Sequence, residues 1–312
     1  MNSARGVAPL RIGIDLGGTK TEGIVMDAEH RIVVRERRPT PRDAGYDAIL
    51  HNIRDLVALL EQRVGQHCTI GIGTPGALSA TTGLLKNSNT TCMNGQPVAR
   101  DLETLLQRPL RMANDANCFT VSEASDGAGA GYPVVFGVIM GTGVGGGIVV
   151  HDRLHEGPQR IGGEWGHNVL EADGPPCYCG KRGCIETFLS GPGLQQDYRR
   201  HGGDAQHSSH EIVAHAAAGD ALAEATMQRF LDRFGRALSI VINVLDPHAI
   251  VLGGGMSNIA RLYTEGAAHV ARHVFNDELL TRILPNVHGD SSGVRGAAQL
   301  WRVEEIVGDL AR

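Results

Sequence analysis

The chain has 312 residues, 42% of them apolar and 20% charged, which is the composition of a globular protein and excludes a disordered or fibrous one. Its net charge of −5 and its 13 aromatics exclude an electrostatic footprint for DNA or an anionic membrane and a stacking platform for single-stranded nucleic acid. Glycine is the outlier, with 42 residues against a usual share of about 7%, and 18 of the 42 fall between Gly127 and Gly193.

In chain order, Met1 to Pro9 holds no apolar stretch of signal-peptide length, and no window of 18 apolar residues follows, so a cytoplasmic protein without a membrane partner is expected. Ile12 to Asp27 reads as an apolar strand, a Gly/Thr turn and a second apolar strand, hence a β-hairpin with a glycine tip. A strand (Ile32 to Arg35), a helix (Tyr46 to Arg63), a strand (Cys68 to Thr74), a helix (Val98 to Leu106) and a strand (Pro109 to Met112) are predicted next. Phe136 to His151 then aligns without gaps on Ile12 to Asp27, with five of sixteen positions identical at an offset of 124 residues. A repeat this long predicts two similar α/β domains rather than a solenoid. The boundaries expected are 1–117 for a smaller domain, rejoined by a C-terminal helix at about 294–312, and 118–293 for a larger one with a metal-binding loop. Beyond the second hairpin, Ala221 to Val244 carries an apolar stripe at helical spacing (Leu222, Met227, Phe230, Leu231, Phe234, Leu238, Val241). Asp246 and Pro247 end that helix, and Ala249 to Leu252 is a buried strand leading into Gly253, Gly254 and Gly255.

Backbone N–H groups hold phosphates where side chains are absent. Two tips offer this: Asp15-Leu-Gly17-Gly18-Thr19-Lys20, and the run from Gly141 to Gly147, which includes Thr142, Gly143 and Gly145. Facing one another they would clamp the β- and γ-phosphates of ATP, with Asp15 holding Mg²⁺ through water and Gly253 to Gly255 forming an adenosine platform. Gly141-x-Gly143-x-x-Gly146 matches the dinucleotide pattern, but Gly147 to Val150 continues as a strand where that pattern needs a helix. No Gly-x4-Gly-Lys-Ser/Thr run occurs, which excludes a P-loop. Asn114 and Asp115 stand between a strand and a helix, so Asp115 reads either as a helix N-cap or as a general base. His167, Cys177, Cys179 and Cys184 place four ligands in 18 residues, with glycines freeing the turns, and fit a closed, structural Zn²⁺ site. With one imidazole nitrogen of His167 on the metal, the other is left for a substrate hydroxyl. Glu164 and Glu186 flank the same knot and read as hydroxyl binders.

Several motifs together resemble the ROK (repressor, open reading frame, kinase) family: Asp15 to Lys20, Gly73 to Gly76, Asn114 to Asn117, Gly141 to Gly147, Glu164 to His167, Cys177 to Glu186 and Ile250 to Gly255. They run in family order from residue 10 to about residue 300. Within the family the stretches from Lys86 to Thr90, Asn94 to Pro97, Asn114 to Cys118 and His288 to Ala298 look most like bacterial fructokinases with manno-fructokinase activity. The resemblance implies an α/β, actin-like (ribonuclease H-like) ATPase fold of two domains with an interdomain cleft. It implies that Asp115 is the catalytic base, that Pro75, Gly76, Asn89, Asn114, Glu164, His167 and Glu186 contact the sugar, and that the chain forms a homodimer or homotetramer. The expected reaction is ATP-dependent phosphorylation of a hexose at O6, with fructose first and mannose, glucose or N-acetylglucosamine as alternatives. A repressor of this family would need a DNA-binding segment before the first hairpin, whose strand begins near Leu10, and the net charge is wrong for DNA.

Overall fold

The computed structural model describes residues 9–88 and 90–310, the side chains of 307–310 excepted. The chain divides into two compact units, one made of residues 1–126, 156–161 and 290–312 and the other of residues 127–155 and 162–289.

In the first unit, β1 (Arg11–Leu16), β2 (Lys20–Met26) and β3 (Ile32–Pro39) form an antiparallel meander, followed by α1 (Tyr46–Val64), β4 (Thr69–Thr74), the short pair β5 (Ala77–Leu78) and β6 (Leu85–Lys86), α2 (Val98–Leu106), β7 (Arg111–Asn114) and α3 (Asp115–Ser125). The order across the sheet is β3-β2-β1-β4-β7, with β4 and β7 parallel to β1. Strand alternation sorts β1 onto two faces. Ile12, Ile14 and Leu16 join Ile49, Ile53, Leu56 and Leu60 of α1 in one buried cluster. The opposite face carries Arg11, Gly13 and Asp15. It receives helix α9 (Ser292–Gln299), which packs Val294 and Ala298 on Ile24 and Met26 of β2.

The α9 backbone lies on the strands themselves. A Cβ on Gly13 would collide with the Val294 carbonyl oxygen, one on Gly71 with that of Ala297, and one on Gly296 with that of Cys118 in α3. Sheet, α9 and α3 are therefore pressed together at side-chain-free points. The single C-terminal helix expected from the sequence is two, α9 and α10 (Val303–Leu310). Trp301 breaks it, because its indole nitrogen donates to the Ile70 carbonyl at 2.7 Å and its ring lies under the Arg111 guanidinium at 4.0 Å.

The second unit repeats the plan. Its elements are β8 (Val134–Met140), β9 (Val144–Val150), β10 (Arg153–Leu154), α4 (Glu186–Leu189), α5 (Gly191–Arg200), α6 (Ser209–Ala217), α7 (Ala221–Leu245), β11 (Ala249–Gly253), α8 (Glu265–His273) and β12 (Arg282–Pro285). The sheet order is β10-β9-β8-β11-β12, again an antiparallel meander continued by two parallel strands. This is the actin-like, ribonuclease H-like arrangement, present twice. The α7 stripe is core, with Met227, Phe230, Leu231, Phe234, Leu238 and Val241 buried and Leu222 partly so. Asp220 caps its start by accepting the Ala223 N–H at 2.7 Å, and Asp246, in the left-handed conformation, ends it.

The gapless repeat needs one correction. Leu16 pairs with Thr21 around a four-residue tip, whereas Met140 pairs with Val144 around a three-residue tip. The second strands are thus offset by one, and the partner of Gly23, opposite Ile14, is Gly146, opposite Val138, rather than Gly147. Three consecutive glycines at 145–147 hide this slip in the sequence. The offset matters because one residue reverses which face a side chain takes. Gly23 makes room for Leu56 and Leu60, and Gly146 for Gly163 and Trp165. Among the described residues no helix is long and apolar enough to cross a membrane.

Gly71→Ala drives a methyl into the α9 backbone, and we expect it to lower unfolding stability by about 1–3 kcal/mol, read from urea denaturation midpoints. An unchanged midpoint would show that α9 has room to shift.

Candidate active site

In the first unit, β1 delivers Asp15 at its C-terminal end and the chain then turns through Gly17, Gly18 and Thr19. The Gly17 N–H donates to the Lys20 carbonyl at 3.0 Å. Thr40, at the end of β3, holds this tip twice: its hydroxyl donates to the Gly17 carbonyl at 2.7 Å and its N–H to that of Thr19 at 3.0 Å. Thr19 and Lys20 stand exposed beyond it. Thr40 has no motif signal, because its partner is 23 residues away across the sheet.

Asp15 faces α9, where a Cβ on Gly293 would come within 3.8 Å of its carboxyl group. Burial, then the neighbouring Asp115 and Glu22, raise its pKa to about 6, with Lys20 opposing. Glu22 lies opposite Asp15 across the strands and is itself buried, its Oε2 accepting from Arg37 Nε at 2.7 Å.

At the junction of β7 and α3 the two readings of Asp115 separate. Asn114 is the N-cap, its Oδ1 accepting the Asn117 N–H at 2.7 Å. Asp115 is the first helical residue, with Oδ1 accepting from the adjacent Ala116 N–H at 2.9 Å. Desolvation by the surrounding protein raises its pKa although the residue stays open to solvent, and the backbone N–H groups at the helix start pull it partly back. The cap does not need Asp115, so a solvent-accessible carboxylate stands there for another purpose. Asn114, with Oδ1 committed to the cap, keeps its amide N–H groups as donors.

Pro75 and Gly76 follow β4. Gly76 has φ +88°, and a Cβ there would collide with the Lys86 carbonyl. The loop it meets is stitched by Asn94, which accepts the Ser88 N–H at 2.8 Å and donates to the Ser88 carbonyl at 2.9 Å. Asn89 lies outside the described residues.

In the second unit the short tip is Gly141, Thr142 and Gly143, closed by a Gly141 N–H to Gly143 carbonyl bond of 2.9 Å. Gly145 lies past the tip, inside β9, where its carbonyl accepts the Trp165 indole N–H at 3.0 Å. Glu186, at the start of α4, accepts the Val144 N–H through Oε2 at 2.9 Å, so one of its oxygens braces the tip, while Oε1 meets the Cys177 thiol at 4.0 Å. Gly253 ends β11 beside β8. Gly254, at φ +77°, passes so near Met140 that a Cβ would collide with its carbonyl, and Gly255 faces open space.

Glu164 precedes a short 3-10 turn, Trp165–His167. Trp165 is buried edge-on to Phe136, with ring centroids 5.8 Å apart, and the missing side chain of Gly166 lets the turn rest on the Val144 backbone. The turn brings His167 to the cysteines. The donor atoms of His167, Cys177, Cys179 and Cys184 all lie within 4.8 Å of one another. Cys177 Sγ is 3.6 Å from His167 Nδ1, and Cys179 Sγ is 3.6 Å from Cys184 Sγ. Two ligand atoms each about 2.0–2.3 Å from a tetrahedral Zn²⁺ are spaced by about this much, so three thiolates and one imidazole fit that ion. The other nitrogen of His167, Nε2, meets the Tyr178 hydroxyl at 3.1 Å. Local desolvation of the hydroxyl, on a side chain that is otherwise exposed, then Glu186 and Glu164, push it up to about 12, which keeps its proton in place. Tyr178 escapes sequence reasoning, and the only signal for it is its place between two metal ligands.

The first unit thus gathers Asp15, the first tip, Pro75, Gly76, Asn114 and Asp115, and the second gathers the short tip, Glu164, His167, Glu186 and the cysteines. Gly253 to Gly255 adjoin the short tip through Met140 and β8.

Comparison with known proteins adds three findings. The ROK family profile matches residues 11–304. An N-acetyl-D-glucosamine kinase of Yersinia pseudotuberculosis is 41% identical over 305 residues, covering 94% of this chain and 99% of its own length. Among solved structures, a ROK hexokinase from Thermus thermophilus superposes with a TM-score of 0.85 at 30% identity, over 96% of this chain and 99% of that one. A ROK family glucokinase from Streptomyces griseus, in complex with glucose and AMPPNP, superposes with a TM-score of 0.74 at 28% identity, over 94% and 99%.

The Asp15 pKa of about 6 sets a pH dependence. The ordinary value is 3.8, so the folded state binds this proton more tightly than the unfolded chain does. The resulting stability is full below about pH 4 and lost as the pH rises through about 6. Asp15→Asn removes the dependence. Relative to the parent, its urea midpoint is expected to climb between pH 4 and 6.5 and then level off, and a constant difference would place the Asp15 pKa near its ordinary value.

Proposed function

The chain belongs to the ROK family, and from that premise we propose that it is an ATP-dependent sugar kinase whose preferred substrate is N-acetyl-D-glucosamine. The observation that carries the kinase reading is Asp115, a solvent-accessible carboxylate at the start of α3 with a raised pKa that its helix does not need as a cap. Such a group suits a general base, which must hold a proton taken from a sugar hydroxyl during phosphoryl transfer. The sugar preference is supported by the 41% identical relative, which bears that activity over nearly its whole length. Fructose, expected from the Lys86 to Pro97 stretches, falls behind on this ground and becomes the competitor to be measured.

The division of labour follows from the residues. The N–H groups of Gly18, Thr19, Thr142 and Gly143 and the Lys20 ammonium bind the triphosphate, the Gly17 and Gly141 N–H groups close the two tips, and Gly253 to Gly255 leave room for adenosine. Asp15 is the residue to hold Mg²⁺, and its raised pKa falls again as the cation binds. When bound, Mg²⁺ neutralises charge that develops on the phosphates. Asn114 donates through its amide, Glu164 and Glu186 accept, and His167 donates through Nε2 to sugar hydroxyls. Pro75 and Gly76 border the sugar. His167, Cys177, Cys179 and Cys184 would hold Zn²⁺, which supplies no chemistry to the reaction and fixes the turn that presents Glu164 and His167. The transition state of phosphoryl transfer is loose, so alignment and charge supply most of the rate, and Asp115 adds a proton acceptor worth roughly 10²–10⁴-fold.

Two measurements test this. Asp115→Asn is expected to lower kcat by about 10² or more with little change in sugar KM, and near-parental turnover would remove Asp115 as the base. In a coupled ADP-release assay, kcat/KM is expected to rank N-acetyl-D-glucosamine above glucose, mannose and fructose. A best substrate among the other three would overturn the sugar assignment and leave the kinase in place, and no turnover of any hexose would overturn the kinase.

A further inference from the structure

Tyr178 sits between two of the four metal-ligand candidates and packs against little, its side chain being 80% exposed. Yet its hydroxyl is placed with some specificity. It stands 3.1 Å from His167 Nε2, the two rings meet edge-on with centroids 5.2 Å apart, Glu186 lines the same cavity, and the charges of Glu186 and Glu164 act on the hydroxyl. These three residues are the ones assigned above to sugar hydroxyls.

The donor and acceptor pattern is the telling part. His167 turns Nδ1 toward the cysteine thiols, so Nε2 is the nitrogen that carries hydrogen, and it donates to the phenol oxygen. The phenol has one hydrogen of its own to give, and Glu186, a carboxylate lining the same cavity, only accepts. A sugar hydroxyl has the same inventory, one hydrogen to donate and lone pairs to accept. The backbone on either side is held, with the Cys177 N–H donating to the Lys181 carbonyl at 2.9 Å and the Gly180 N–H to the Cys177 carbonyl at 3.1 Å. A rotation about the side-chain torsions of Tyr178 is therefore enough to vacate the position.

We propose that the Tyr178 hydroxyl is a place-holder for a hydroxyl of the substrate sugar: in the ligand-free protein it occupies the position at His167 Nε2, in the cavity that Glu186 also lines, that a sugar hydroxyl takes, and it swings out when sugar binds. This rests on the assignment of those two residues to the sugar. The tyrosine keeps the His167 N–H satisfied and its ring oriented while the site is empty. Its single hydrogen bond, made by a mostly exposed side chain, is cheap to break. The sugar must still displace it, and the affinity measured for the sugar is lowered by that much.

The test is Tyr178→Phe in the full chain, with N-acetyl-D-glucosamine titrated by calorimetry without nucleotide and the steady-state KM values measured beside it. With the competing hydroxyl gone, Kd and KM for the sugar are expected to fall about two- to tenfold, the range of one hydrogen bond, while KM for ATP and zinc content match the parent. An unchanged or weaker sugar affinity in a variant that keeps its zinc overturns the place-holder. A variant that loses its zinc also overturns it, because the hydroxyl would then be part of the knot. If the parent turns over hexoses and only the tightening is missing, the kinase reading survives. If the parent neither binds nor phosphorylates any hexose, both fall.

Discussion

The first unit depends on one constraint, the contact of a helix backbone with a strand backbone. Where α9 crosses β1 and β4, Gly13 and Gly71 remove the side chains that would hold it off, and Gly296 removes the one that would hold it from α3. Helices usually pack at a distance set by their side chains. Here the carbonyl oxygens of Val294, Ala297 and Cys118 stand where Cβ atoms would be. The consequence reaches the chemistry. Because α9 lies so low, its first turn buries the Asp15 carboxyl group, and α3, drawn down with it, sets Asp115 near enough to raise the Asp15 pKa further. Two carboxylates with raised pKa values, each costly to hold charged, are ready for a cation, which would favour their ionised forms.

The second unit uses the same device for a different purpose. Gly146 and Gly166 let the turn that bears Glu164 and His167 rest directly on β9, and Trp165 is locked there by Phe136 and by its indole bond to Gly145. His167 is then one side chain away from three thiols. Glu186 links this region to the short tip through the Val144 N–H, so one carboxylate braces a phosphate-type turn and faces the hydroxyl-binding groups at once.

Local patterns carried much of this. The strands, α1, α2 and α7 lie within a few residues of their expected limits because each is written in short-range periodicity: alternation for the strands and a 3.6-residue stripe for α7. The four metal donors were legible because three thiols and an imidazole within 18 residues, with glycines freeing the turns between them, match the donor set and spacing of a tetrahedral metal site. The two tips were legible as glycine runs between apolar strands. The length of the second tip was not, since three consecutive glycines let the repeat align in a register the sheet does not use. Thr40 was invisible for a related reason: a threonine closing a strand has no motif until the neighbouring strand places the Gly17 carbonyl beside it.

The sequence by itself determined the class of fold, the presence of two related units, and the chemical types that each motif brings: carboxylates, backbone N–H groups, thiols and an imidazole. Such properties are local, because they depend on which residues stand within a turn or a strand of one another. Only the tertiary structure decided what those groups are committed to. Asn114 took the cap and left Asp115 without one, one oxygen of Glu186 went to the short tip, and His167 Nε2 went to Tyr178. The same holds for the burial of Asp15 under α9, nearly 280 residues later in the chain. Hydrogen-bond capacity and desolvation are settled by neighbours in space, and the packing of strands and helices alone brings those neighbours together.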